Sequence, residues 1–164
     1  MPDNTRDGKG VCAVYNADMS IKQIGAEEAN DILNSDSSVV YLDVRTEQEF
    51  ANGHVPKSIN IPVVWPDAAS RQMQPNPDFV KVVSAHLGKD KKIIVGCQAG
   101  GRSQFAAQML DQEGFQDVSN MQGGFGGARD AMGRAVAMGW SQLGFPIETE
   151  VPANSSYASL KNVK

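Results

Sequence analysis

Residues 92–110 set the tightest limit on the fold. Lys92-Ile93-Ile94-Val95-Gly96 is an apolar run of strand length, and residues 103–110 read as a helix. Six residues join them: Cys97-Gln98-Ala99-Gly100-Gly101-Arg102. A strand that feeds a helix through so short a connection belongs to an alternating α/β architecture. The same alternation runs along the chain. Residues 20–24 read as extended and residues 26–33 as a helix with Ala29, Ile32 and Leu33 on one face. Residues 39–43 form a near-continuous apolar run, as in a central parallel strand. Thr46-Glu47-Gln48-Glu49 is a capping-box pattern for a short helix that Gly53 ends. A brief strand at 59–61, a helix at 78–87 stopped by Gly88, and a last strand at 117–121 follow. A glycine-rich turn at 123–127 then leads into an expected helix at 128–138. The pattern predicts an α/β fold: a mainly parallel sheet with helices on both faces.

Less regular segments frame this core. Residues 1–18 read as a loose arm with one apolar patch at 11–15, residues 19–147 as one domain, and residues 148–164 as a tail that straps the surface and then frays. Residues 62–77 hold four prolines and no clear period, so they predict a long surface loop.

Composition narrows the function. A net charge of −4, with no block of Lys or Arg, argues against nucleic-acid binding. The longest apolar runs are a few residues, so no membrane span is expected. Residues 1–10 are polar and lack an apolar h-region, so no secretory signal is expected, and two cysteines exclude a disulfide framework, which points to a reducing cytoplasm. Two cysteines and two histidines without ligand spacing predict no metal site, and no cofactor is called for.

Cys97 carries the chemistry. A cysteine at a strand's carboxyl end, a glycine-bearing loop and a helix start form an anion cradle of backbone N–H groups, and the helix dipole adds to it. A thiol there is expected to shift toward thiolate. Gly100 and Gly101 permit backbone conformations that other residues resist, and Arg102 closes the loop with a fixed charge. A buried cysteine that merely fills the core would need no polar loop or arginine. Asp43 ends its strand as Cys97 does, so both face one crevice, with Asp43 and Arg45 as a supporting ion pair.

At these residues the chain resembles the rhodanese family of sulfurtransferases. The loop Cys-x-x-Gly-x-Arg-Ser appears as Cys97, Gly100, Arg102 and Ser103, with Gln98, Ala99 and Gly101 between them. A second family signature runs from Asp43-Val44-Arg45-Thr46-Glu47 through Gly53-His54-Val55-Pro56 to Ile61-Pro62, and a third is Asn120-Met121-Gln122-Gly123-Gly124-Phe125. The resemblance implies a three-layer fold on a five-stranded parallel sheet. It also implies that a Cys97 persulfide moves a sulfane sulfur from a small anionic donor, thiosulfate or a persulfide, to a thiol, cyanide or protein acceptor. Gln98 and Ala99 are neutral where thiosulfate specialists place basic residues, so polysulfide and persulfide donors fit as well. Similar cysteine phosphatases and arsenate reductases carry one more loop residue than the four between Cys97 and Arg102 here. They stand as the alternative, beside a non-catalytic sulfur carrier or interaction module.

Other residues read more plainly. His54 fits a turn-fixing role better than a thiol–imidazole pair, and His86 a surface position. Ser103 is a helix-start residue or a hydroxyl donor to the Cys97 sulfur. Cys12 is a spectator or resolving thiol. Trp65 and Trp140 are anchors, with Trp65 also placed to line a pocket mouth. The glycines at 123–127 fail as a dinucleotide motif because Arg129 stands where the spacing needs glycine.

Overall fold

A computed structural model describes residues 21–162. Five strands run parallel in one sheet: β1 (Lys22–Ile24), β2 (Val40–Asp43), β3 (Ile59–Asn60), β6 (Lys92–Gly96) and β7 (Asp117–Met121). Their order is β1-β7-β6-β2-β3, so β6 lies at the centre with β2 and β7 beside it. The loop that follows β6 therefore opens at the middle of the sheet's carboxyl edge, where ligands of open α/β sheets bind.

Alternation along the strands divides the core in two. Ile93 and Val95 face one side with Leu42 and Val44, and Ile94 faces the other with Tyr41 and Met121. The first side is covered by α3 (Phe79–His86) and α4 (Gly101–Gln112), through Phe79, Val82, Val83, Ala106, Ala107 and Leu110. The second is covered by α1 (Ala26–Ser35), through Ala26 and Ala29, and by Val55 and Trp140. The five-stranded sheet with helices on both faces is the architecture the sequence predicts. In α2 (Glu47–Asn52) the capping box closes as read. The Thr46 side chain accepts from the Glu49 N–H, the Glu49 carboxylate accepts from the Thr46 N–H, and Gly53 ends the helix.

Three expectations need correction. Residues 128–138 are a β-hairpin, β8 (Ala128–Arg129) against β9 (Ala135–Ala137), and not a helix. Asp130 Oδ1 accepts from the N–H groups of Met132 and Arg134, and Gly133 turns the chain at φ 82°. A side chain that captures backbone donors in this way competes with the helix. Residues 62–77 contain a second hairpin, β4 (Val64–Pro66) with β5 (Met73–Pro75), turned by Asp67, which accepts from Ala69 and Ser70. The tail is not frayed through residue 162. Glu148 pairs with His54 through two backbone hydrogen bonds of 2.9 Å, and α5 (Tyr157–Leu160) buries Tyr157 and Leu160 in the core. The arm at 1–18, with Cys12, lies outside the described residues.

Candidate active site

Cys97 follows the last residue of β6 and is 2% exposed. Its Sγ accepts the Gly100 N–H at 3.0 Å. Gly100 is the N-cap of α4, at φ 113°, where a side chain would be strained. It offers no side chain to cap the helix, and its own N–H goes to the sulfur. Gly101 differs from its expected role. It sits within the helix, and a Cβ there would meet open space, so Gly100 alone of the two needs glycine's freedom.

The glycine turn at 123–127 supports the loop from behind. Phe125 N–H donates to the Cys97 carbonyl at 2.8 Å, and Gly126 N–H donates to the Gln98 carbonyl at 2.9 Å. Those carbonyls are thereby occupied away from the sulfur. The approach is close: a Cβ on Gly124 would collide with the carbonyl groups of Cys97 and Gln98.

Both arginines are engaged by carboxylates. Arg45 and Asp43 form a buried pair at 2.8 Å. Burial pushes the Arg45 guanidinium toward neutrality, but the Asp43 hydrogen bonds outweigh it and hold the group firmly charged. Arg45 also donates to the Gly53 carbonyl and to Gln98 Oε1, at 2.7 and 3.2 Å, and lies 4.5 Å over the Phe125 ring. It thus links β2, the cysteine loop and the glycine turn. Arg102 does not aim its donor fork at the loop; it binds Glu49 of α2 through two hydrogen bonds of 2.7 and 3.0 Å. Burial raises the Glu49 carboxyl, but Arg102 and Thr46 outweigh it and bring it to about 2. Glu49 and Phe125 thus join the site, although the sequence marked Glu49 only as a helix cap.

Ser103 is fully buried, 3.4 Å from Cys97 Sγ. Its hydroxyl is shared with the Gly100 carbonyl at 3.1 Å and makes its shortest contact with Asn120 Oδ1. Gln98 and Ala99 are exposed at the rim. His54 lies apart from the sulfur: its Nδ1 bonds the Phe50 carbonyl at 2.7 Å and its ring stacks on Phe50. Exposed His86 bonds the Leu160 carbonyl. Trp65 packs near Tyr157, and Trp140 is buried with its indole N–H on the Pro146 carbonyl. A cavity of about 680 Å³ lies elsewhere, beside the start of β2, lined by Leu33, Val39, Val40, Tyr41 and Leu87 among others and by no residue of the cysteine loop. Among the described residues no three His, Cys, Asp or Glu side chains are placed to hold a metal ion, and no helix is long and apolar enough to cross a membrane.

Fold and site together define an α/β protein whose parallel sheet ends in a cysteine at the start of a helix. The family model for the rhodanese-like domain matches residues 25–131, and the chain belongs to the rhodanese family. It is 33% identical to Thiosulfate sulfurtransferase 18 of Arabidopsis thaliana over 132 residues, covering 79% of this chain and 85% of the relative. It is 47% identical to the chloroplastic Thiosulfate sulfurtransferase 16 of the same plant, over 52% of this chain and 69% of that one. With the mitochondrial Protein HIGH ARSENIC CONTENT 1, also from Arabidopsis thaliana, it shares 44% identity over 56% of this chain and 53% of the relative, so it spans about half of that protein. These two relatives are named for organelles, not for the cytoplasm expected from the cysteine count. Among solved structures, Rv0390 from M. tuberculosis has the same fold, with TM-score 0.64, 23% identity, and coverage of 79% of this chain and 98% of that one.

Proposed function

We propose that this protein is a sulfurtransferase that carries sulfane sulfur on Cys97. The observation that carries the reading is the sulfur's position at the start of α4, met by the Gly100 N–H at 3.0 Å. In the first half-reaction the Cys97 thiolate attacks the outer sulfur of a donor R–S–S⁻. The donor S–S bond breaks, R–S⁻ leaves with its electron pair, and Cys97–S–S⁻ remains. From thiosulfate the leaving group is sulfite. In the second half-reaction an acceptor thiolate or cyanide attacks that outer sulfur and releases the Cys97 thiolate. This is covalent catalysis with ping-pong kinetics. No step requires a metal or cofactor.

The charges around the loop support one donor class. Asp43 neutralises Arg45 and Glu49 neutralises Arg102, so neither arginine beside the loop is an uncompensated cation, and the sulfur's backbone donor is the Gly100 N–H. Such a cradle suits a singly charged persulfide better than dianionic thiosulfate. In a coupled assay with a fixed thiol or cyanide acceptor, kcat/KM for glutathione persulfide should exceed that for thiosulfate by about tenfold or more. Equal values, or a preference for thiosulfate, would overturn the donor assignment.

A second reading, oxyanion reduction or phosphate-ester cleavage, draws on the likeness to Protein HIGH ARSENIC CONTENT 1. Arsenate-dependent thiol oxidation or phosphate-ester cleavage that requires Cys97, with no sulfur transfer from either donor, would favour it.

A further inference from the structure

A line of side chains leads from the sulfur to the surface at the sheet edge. Ser103 Oγ is placed to donate its one proton to any of three acceptors, Cys97 Sγ at 3.4 Å, the Gly100 carbonyl at 3.1 Å and Asn120 Oδ1, which is the shortest contact. Asn120, on β7 and 3% exposed, donates its Nδ2 to Gln23 Oε1 at 2.8 Å. Gln23, on β1, donates its Nε2 to Gln104 Oε1 at 2.6 Å and toward the Ile21 backbone carbonyl at 3.5 Å.

The line has a direction. The Ile21 carbonyl can only accept, so Gln23 turns its nitrogen outward and its oxygen toward Asn120. Asn120 then presents Nδ2 to Gln23 and Oδ1 to Ser103. A serine hydroxyl has one proton, and Oδ1 takes it. The remaining neighbour of that hydroxyl, the Gly100 carbonyl, also accepts only. Ser103 therefore faces the sulfur with lone pairs, which receive an S–H but do not stabilise a thiolate.

We propose that Asn120 and Gln23 are positioning residues that hold the Ser103 proton away from Cys97 and so restrain the nucleophile at rest. The Gly100 N–H is then the donor the sulfur meets. When charge develops on the sulfur it becomes a stronger acceptor than an amide oxygen, and the hydroxyl can turn to it only by leaving Asn120. The proposal rests on Cys97 as the reactive group and not on any donor or acceptor. Arg102 on α4 and Tyr41 on β2 each feel the Cys97 sulfur electrostatically, and both remain in every variant below.

The test is the rate of Cys97 alkylation by iodoacetamide against pH, monitored by peptide mass in the full chain. It requires no sulfur transfer, so its outcome is separable from the sulfurtransferase reading. Gln23 is exposed, and its replacement should leave the fold intact. Gln23→Glu keeps an oxygen toward Asn120, and the midpoint should not fall. Gln23→Lys presents a donor, so Asn120 turns over and frees the Ser103 proton for the sulfur. The midpoint should fall by about 0.5 pH unit or more, with alkylation at pH 7 about threefold faster. Asn120→Ala should act in the same direction without a change of charge. Adding Ser103→Ala to Gln23→Lys should abolish the shift. An unmoved midpoint in Gln23→Lys would overturn the proposal. So would a shift that survives without Ser103, because it would come from the lysine's charge.

Discussion

Two strand-to-helix connections leave the carboxyl edge of the sheet side by side, and they are built by opposite means. After β2, side chains do the work. Thr46 and Glu49 satisfy each other's backbone at the start of α2, and Asp43 accepts from Arg45 backbone and guanidinium together. After β6, the backbone does it. Gly100 caps α4 without a side chain, and the N–H that it contributes goes to Cys97 Sγ. The first helix start is closed by its own side chains, while the second has no side-chain cap and meets the cysteine sulfur instead. The Glu49–Arg102 pair joins the two, so the closed connection braces the open one.

The strongest way to break the contrast is to remove the space behind the open loop. Gly124→Ala places a methyl group against backbone atoms of Cys97 and Gln98, at a position with φ 56°. It should cost about 2–4 kcal/mol in urea unfolding and slow Cys97 loading by about tenfold or more.

Cutting the brace comes next. Glu49 holds its carboxyl at about 2 against an ordinary 4.5, so it favours the folded state above pH 4.5 and loses that contribution as pH falls toward 2. Glu49→Gln should lower stability by about 1–3 kcal/mol at pH 7, a range already reduced for partial exposure. The gap between parent and variant should narrow as pH drops from about 4.5 toward 2, since the parent then loses the same interaction. A gap constant over that range would remove the brace from the account. The smallest effect sharpens the assignment of glycines. Gly101→Ala, where a Cβ finds open space, should change stability by within about 0.5 kcal/mol and leave loading intact.

How much of this was legible in the sequence varied with the range of the interaction. The capping box at Thr46 and the cysteine loop are local patterns; the box closes as read, and the loop forms after β6 but ends at Gly100, two residues earlier than the sequence places its end. The central strands 39–43 and 92–96 were legible because both faces are buried, which demands continuous apolar runs. The hairpin at 128–138 was not. Its alanines, valine and methionines suit a helix, and the turn depends on one aspartate accepting two backbone donors. Tyr157 and Leu160 enter the core from a four-residue helix, too short for any period to announce. Glu49 and Arg102 lie 53 residues apart, and no spacing rule joins them. The same holds for the line from Ser103 through Asn120 to Gln23, which exists only once β1, β7 and α4 meet.

The central claim is that the open helix start holds a sulfur-carrying cysteine. Intact mass of the purified protein after incubation with glutathione persulfide, beside Cys97→Ser, tests it most directly. The account predicts a gain of one sulfur atom on the parent, removed by cyanide as thiocyanate and absent from the variant. A parent that gains no sulfur, or a Cys97→Ser protein that gains it equally, would contradict the claim.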